Sequence, residues 1–271
     1  MSQEPQPLST VVDVSIPSVA RMYDHYLGGK DNYSVDREAC EELDKIAPST
    51  RALAINNRRF LQRAVRWLAQ EQGIRQFIDH GSGLPTQDNV HQVAQAIDPE
   101  SRVVYVDNDP IVLAHGRAML EEDHRTAVIQ ADMRDTDGIF GSAEVERLID
   151  FGQPVAALFV SVLHCIPDED DPKALVTRVA EKLCPGSFLV ASHLVSEDQA
   201  TRDFVTELMQ VSTQGQWGRV RRASEVETFL EGLEVLEPGL VEVSTWKPDG
   251  SLGPKQTTKE WIEYGGVARK N

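Results

Sequence analysis

The sequence predicts one α/β domain built on a mostly parallel sheet, and three observations carry that reading. Short apolar runs, Phe77-Ile78, Val103 to Val106, Ala127 to Gln130 and Val155 to Val160, have the composition of buried strands. Segments with helical periodicity stand between them, the alternation of βαβ units. The 271 residues also provide ample core for a domain that needs no staples.

The chain opens on a polar stretch, Met1 to Thr10, with two prolines and no apolar core. It reads as neither a signal peptide nor a membrane anchor, and its first dozen residues are expected to fray. From Pro17 to Leu27 the side chains Val19, Met22, Tyr23 and Tyr26 recur at helical spacing, and Gly28 and Gly29 end the helix. The polar cluster Lys30-Asp31-Asn32-Tyr33 follows on that hinge. It reads either as a solvated loop or as a loop that folds over a bound cofactor. In the second case Tyr23, Tyr26 and Tyr33 exclude water while Lys30 or Asn32 meets the cofactor's polar tail. Ser34 is placed to cap the next helix, which runs through Ile46. A third helix, Asn57 to Gln70, sets Phe60, Leu61, Ala64, Val65 and Leu68 on one face and leaves Arg58, Arg59, Arg63 and Arg66 for the solvated side.

Phe77 and Ile78 suit a strand, Asp79 closes it, and Gly81-Ser82-Gly83 follows at once. Paired glycines let the backbone turn sharply and approach a ligand, although a plain turn has the same makings. The third glycine of a dinucleotide fingerprint is replaced by Thr86, and Pro85 has no N–H, so a pyrophosphate finds few amides there. Asn89 to Ala96 supplies the next helix. The second strand ends in Asp107-Asn108, about 20 residues past the turn, where a carboxylate can accept both ribose hydroxyls. Asp109-Pro110 opens a helix to Glu122, a capping region that Asp107 can share. The third run ends in Ala131-Asp132-Met133. Alone, Asp132 reads as a solvated loop acid; beside an adenine it accepts from the exocyclic amine, and the Met133 thioether covers the ring. Taken in order, the glycine turn, Asp107 and Asp132 point to S-adenosylmethionine, whose sulfonium favours carboxylates where a phosphate would want Lys or Arg.

Val155 to Val160 ends in Ser161-Val162-Leu163-His164-Cys165. Ligands of open parallel sheets lie beyond the carboxyl ends of the strands, so Ser161, Leu163 and His164 are expected to face the pocket. His164 is a satisfied loop histidine or else a general base; neither it nor Cys165 has partners at metal-ligand or nucleophile spacing. Asp171-Pro172 caps a helix bearing Leu175, Val176, Val179, Ala180 and Leu183, which Cys184-Pro185-Gly186 breaks. The strand from Ser187 to Ser192 ends at His193. From Asp203 to Gln210, Phe204, Val205, Leu208 and Met209 read as a core-facing stripe. Ser224 and Glu227 make a capping box for a helix starting at Glu225. Leu240 to Trp246 and Trp261 to Ala268 read as a closing antiparallel pair.

Forty-three acids against 27 bases give a net charge of −16, which repels nucleic-acid phosphates and anionic lipid. Neither a polynucleotide nor a membrane is therefore expected as partner. Cys40, Cys165 and Cys184 are too scattered for disulfides or a metal site and suggest a reducing, cytoplasmic setting.

The run Ala20-Arg21-Met22-Tyr23-Asp24-His25-Tyr26-Leu27-Gly28-Gly29-Lys30-Asp31-Asn32-Tyr33 resembles the N-terminal signature of a bacterial family of S-adenosylmethionine-dependent methyltransferases of unknown substrate. The resemblance continues through Asn57-Arg58-Arg59-Phe60-Leu61, Gly83-Leu84-Pro85-Thr86, Tyr105-Val106-Asp107-Asn108-Asp109-Pro110, Ala131-Asp132-Met133-Arg134 and Tyr264-Gly265-Gly266-Val267. His80 departs from it, standing where the family carries an apolar residue. The resemblance implies a class I methyltransferase fold: a Rossmann-like, seven-stranded, mostly parallel sheet with helices on both faces and one antiparallel strand. It also implies one catalytic domain over residues 1–271, residues 1–50 forming a helical cap and 51–271 the core.

The expected function is direct methyl transfer to a small molecule, with S-adenosylhomocysteine as product and no nucleophilic side chain required. The candidate cofactor set is Tyr23, Gly28, Gly29, Lys30, Asn32, Asp79, Gly81, Ser82, Gly83, Asp107, Asn108, Asp132, Met133 and Ser161, with His164 as candidate catalytic residue and no metal. Two other readings are a non-catalytic S-adenosylmethionine binder and an NAD-dependent oxidoreductase; Pro85 and Thr86 count against the latter.

Overall fold

The protein is described from a computed structural model over residues 12–86, 88–120, 124–250 and 253–271. The expected N-terminal fraying and the far end of the Pro110 helix lie outside the described residues. Three helices open the fold: α1 (Val19–Leu27), α2 (Ser34–Ile46) and α3 (Thr50–Glu71). Gly28 ends α1 in the left-handed region, φ 82°. Ser34 does not cap α2 as predicted. The Asp36 carboxylate, one turn inside the helix, accepts from the Tyr33 N–H at 2.8 Å and does that work instead. Met22, Tyr26, Cys40, Leu43 and Leu53 pack in one cluster with Leu194, Val205, Met209, Trp217 and Trp261 from later in the chain. Arg63 is not solvated: it is buried and donates to the Val243 and Trp246 carbonyls at 2.6 and 3.0 Å.

Beyond the cap come β1 (Gln76–His80), α4 (Val90–Gln95), β2 (Arg102–Asp107), α5 (Pro110–Leu120), β3 (Thr126–Gln130), α6 (Thr136–Phe140), α7 (Ala143–Leu148) and β4 (Ala156–Val160). After these the chain forms α8 (Pro172–Lys182), β5 (Phe188–Val195), α9 (Gln199–Ser212), α10 (Ala223–Glu227), β6 (Glu234–Val235), β7 (Val241–Glu242) and β8 (Ile262–Arg269). The strand order is β3-β2-β1-β4-β5-β8-β6, with β7 also on β8. β1 to β5 are mutually parallel; β8 runs antiparallel to β5 and to both short strands.

The sheet thus has eight strands, not seven, because the segment before β8 contributes two short ones. Only Val241 and Glu242 of the predicted Leu240 to Trp246 strand pair. Val243–Thr245 curls into a 3₁₀ turn that buries Trp246 edge-on against Phe60 and Trp67. α10 starts earlier than Glu225, since Glu225 itself accepts from the Arg222 N–H at 2.8 Å. On α9, Val205 and Met209 face the core, whereas Phe204 is 60% exposed.

Alternation along the strands sorts side chains onto two faces. Phe77, Val103, Leu158, Val190 and Val267 pack with α3 and α4; Ile78, Val104, Ala157, Leu189 and Ala268 pack toward α6, α7 and α8. Asp79, Asp107, Ser192 and Glu263 share parity with the first set. These four polar residues therefore stand on the α3 side of the sheet's carboxyl edge.

Candidate active site

β1 runs into a turn whose Gly81 and Gly83 hold φ of 69° and 66°. The Gly81 and Ser82 amides donate to the Val106 carbonyl at 2.8 and 3.2 Å, tying the turn to the end of β2. A Cβ at Gly81 would run into Val162, and Met133 Cε stands 3.1 Å from the same point. At Gly83 a Cβ would meet nothing within 4 Å, so the turn faces open space there. Asp107 Oδ2 accepts from the Gly83 N–H at 2.8 Å and Oδ1 from the Asp109 N–H at 2.9 Å. Asp107 thus takes the capping role read from the sequence and braces the start of α5 and the glycine turn together. Burial pushes Asp107 up to about 6 although those amides pull it back. Asp79 is pushed by burial to about 7, with Arg58 opposing.

Gln130 lies opposite Asp107 in the register, and the Ala131 N–H donates to the Asp107 carbonyl at 2.9 Å, so Asp132 emerges beside it. Burial would raise Asp132, but hydrogen bonds from Arg134 Nε at 2.9 and 3.0 Å hold it below the usual range. Asn108, next to Asp107, is exposed, and its carbonyl accepts from Gln130 Nε2 at 3.2 Å. Beyond β4, Ser161 sits at φ 57° and donates its N–H to the Ser192 carbonyl and hydroxyl at 3.1 and 2.9 Å.

The cap lies over this edge. Ser18 Oγ donates to Asp109 Oδ2 at 2.5 Å, and Ala20 packs on Leu84, Ile111 and Val112. Tyr23 Oη donates to the Ala54 carbonyl at 3.0 Å and accepts from Asn57 Nδ2 at 2.9 Å; Asn57 Oδ1 in turn accepts from Ser192 Oγ at 2.7 Å. The loop from Gly28 to Tyr33 is a formed turn. Asp24 Oδ2 accepts from the Asp31 N–H at 2.9 Å and from Asn32 Nδ2 at 2.8 Å, and Arg37 donates to Asn32 Oδ1 at 3.0 Å. A Cβ on Gly29 would collide with the Asp24 carboxylate. Lys30 is exposed.

His164 stands apart from these acids, packed at 4.6 Å from Trp217 and 5.4 Å from His193. Burial, with Arg221 nearby, lowers it to about 3, so its ring is neutral. His193 Nε2 accepts from Arg221 Nη1 at 3.0 Å, and Nδ1 donates to the Leu194 carbonyl at 2.7 Å. His80 stacks on Phe159 at 4.6 Å and is fully buried, filling the apolar place. Burial raises the Cys165 thiol to about 12, leaving it protonated.

Sequence reasoning missed Glu263. It is 1% exposed, pushed by burial to about 8, and flanked by the Ser161 and Ser192 hydroxyls. The signal was present: a lone acid in Trp261-Ile262-Glu263-Tyr264, inside a run that otherwise reads as a buried strand.

Residues 5–271 match the S-adenosyl methyltransferase family. The chain belongs to that family. An S-adenosyl methyltransferase of this kind is an S-adenosylmethionine-dependent enzyme, and S-adenosylmethionine is its cofactor. A crystal structure from Thermobifida fusca, described as that of a methyltransferase, superposes with TM-score 0.89 at 40% identity, covering 96% of this chain and 97% of that one. A duf574 family protein from Streptomyces avermitilis gives TM-score 0.89 at 39% identity, covering 96% and 100%. An O-methyltransferase family protein from Burkholderia thailandensis, 14% identical with TM-score 0.51 over 82% of this chain and 60% of that one, shares the fold. No curated protein matches the chain.

The residues at the edge fit the family's cofactor. Gly83 faces open space, and the Ser82 hydroxyl is buried with no partner. The turn carries carboxylates beside it and neither Lys nor Arg within it, which suits a cationic sulfonium on an unphosphorylated adenosine. Among the described residues no group of three His, Cys, Asp or Glu is placed to hold a metal ion, and no helix is long and apolar enough to cross a membrane.

Proposed function

We propose that this methyltransferase acts on a small molecule, with Asp107 holding the ribose, Asp132 and Met133 the adenine, and Asp79 with Gly81, Ser82 and Gly83 the donor's amino-acid end. The observation that carries it is the double engagement of Asp107, which spends one lone pair of each oxygen on Gly83 and Asp109. A carboxylate has about four acceptor sites, so two remain for two adjacent hydroxyls. When bound, S-adenosylmethionine supplies an electrophilic methyl group.

The chain's part is to orient and to exclude water, for which positioning alone contributes on the order of 7 to 11 kcal/mol in favourable cases. Tyr23 and α1 close over the edge, and Lys30, free in solvent at the tip of the formed turn, reaches for the donor's carboxylate. His164, neutral and walled in by Trp217, is left out of the chemistry. A small acceptor is supported by the cap, which covers the edge through Ser18 and Ala20, and by the net charge of −16.

Calorimetry with S-adenosylhomocysteine tests the assignment. The wild type is expected to bind it and to ignore NADH, while Asp107→Ala binds at least about tenfold more weakly, the loss of about 1.4 kcal/mol. Equal affinity in wild type and variant would overturn the assignment.

A further inference from the structure

In sheet order the carboxyl edge presents Asp132 after β3, Asp107 on β2, the glycine turn after β1, Ser161 after β4, Ser192 on β5 and Glu263 on β8. With adenosine over β2 and β3, as proposed above, the donor's reactive end points along this row toward β4. β5 and β8 lie farther out, each strand adding about 4.8 Å. Anything held there is on the acceptor's side.

We propose that Glu263 is the acceptor's seat and that the group it seats is an amine. Its carboxyl is 1% exposed, yet Oε1 has no hydrogen-bond partner. Buried carboxylates are ordinarily paired, and among the described residues this one has only the Ser161 and Ser192 hydroxyls beside it. Ser192 Oγ donates to Asn57, Asn57 donates to Tyr23, and Tyr23 donates to the Ala54 carbonyl. None of them is a cation. The positive-φ backbone of Ser161 brings a further hydroxyl beside the same carboxyl. A buried carboxyl flanked by hydroxyls alone is complemented best by an N–H-bearing cation, since charge-assisted bonds are the strong ones. An alcohol offers one proton and no charge; an ammonium offers both.

The inference rests on the donor-site reading, and one binding experiment separates the two. Sinefungin has a carbon in place of the sulfur, bearing a protonated amine where the transferred methyl would stand, and it shares the amino-acid tail of S-adenosylhomocysteine. Wild type is expected to prefer sinefungin at least about tenfold by calorimetry. Glu263→Gln should bring the ratio toward one while S-adenosylhomocysteine affinity holds, which also certifies that the variant is folded. Glu263→Asp, which keeps the charge on a shorter arm, should recover part of the preference. An unchanged ratio in Glu263→Gln overturns the proposal. So does a parallel loss of both ligands, because Glu263 would then hold the donor's own ammonium. Wild type that binds neither ligand sinks the donor-site reading itself.

Discussion

The two glycines of the turn look alike in sequence and do different things. Both adopt positive φ, a conformation that costs an L-residue roughly 1–2 kcal/mol. Gly81 additionally has no room, because Val162 stands where its Cβ would go; Gly83 has room on the side proposed for the donor. Gly81→Ala is therefore expected to lower the melting temperature more than Gly83→Ala in thermal unfolding. Gly83→Ala should keep most of its stability and lose at least about tenfold in S-adenosylhomocysteine affinity, about 1.4 kcal/mol. The reverse pattern would mean that the open space at Gly83 is not the donor's. The glycine spacing was legible in the sequence, but which glycine is wedged and which is open was not, since Val162 comes from the turn after β4, far along the chain.

Among the elements, the cap depends on a charge taken out of water. Arg21 and Asp36 pair at 3.0 Å with side chains 2% and 0% exposed, and Asp36 also accepts from the Ser18 N–H at 2.9 Å and the Tyr33 N–H at 2.8 Å. Removing one partner of such a pair strands the other, at about 3–5 kcal/mol. Asp36→Ala is expected to lose that much in urea unfolding, and Arg21→Met with Asp36→Leu to regain much of it; a loss below about 1 kcal/mol for the single change would place the pair among surface bridges. The cap's helices were readable because α1 and α3 carry long apolar stripes. The capping residue was not, since Ser34 and Asp36 both suit a helix start and only the tertiary pairing with Arg21 favours Asp36. α6 and α7, of five and six residues, were not read from the sequence.

For the molecule as a whole, six buried groups set opposing pH limbs. His80 and His164 are lowered to about 3 by burial, and His193 well below its usual value. Unfolding lets them take up protons, so their contribution to stability is complete above the ordinary histidine pKa, about 6.5, and is lost as pH falls from there toward 3. Asp107, Asp79 and Glu263 are raised to about 6, 7 and 8. The folded state then holds protons that the unfolded chain gives up, so stability declines as pH rises from the ordinary carboxylate range to those values. The melting temperature is expected to peak on the acid side of neutrality. His80→Phe, keeping the stack on Phe159, should flatten the acid limb, and Glu263→Gln the alkaline one; limbs indifferent to both changes would disprove the assignment. None of this was legible beforehand, because it requires knowing which face of the sheet each histidine and acid takes. The architecture was: alternating apolar runs and helices fixed a parallel sheet; of the strands β6 was missed, and β7 is shorter than the Leu240 to Trp246 run expected to pair with β8.

The position of β8 has one more consequence, for synthesis. It is paired on both sides, yet residues 262–269 leave the ribosome after every strand they join. Until they arrive, β5 presents a bare hydrogen-bonding rim, with Leu189, Ala191 and Val195 beside it, to any other nascent chain. Translation that stalls within the β7–β8 loop should yield a product prone to aggregate, whereas β8, once made, closes that rim.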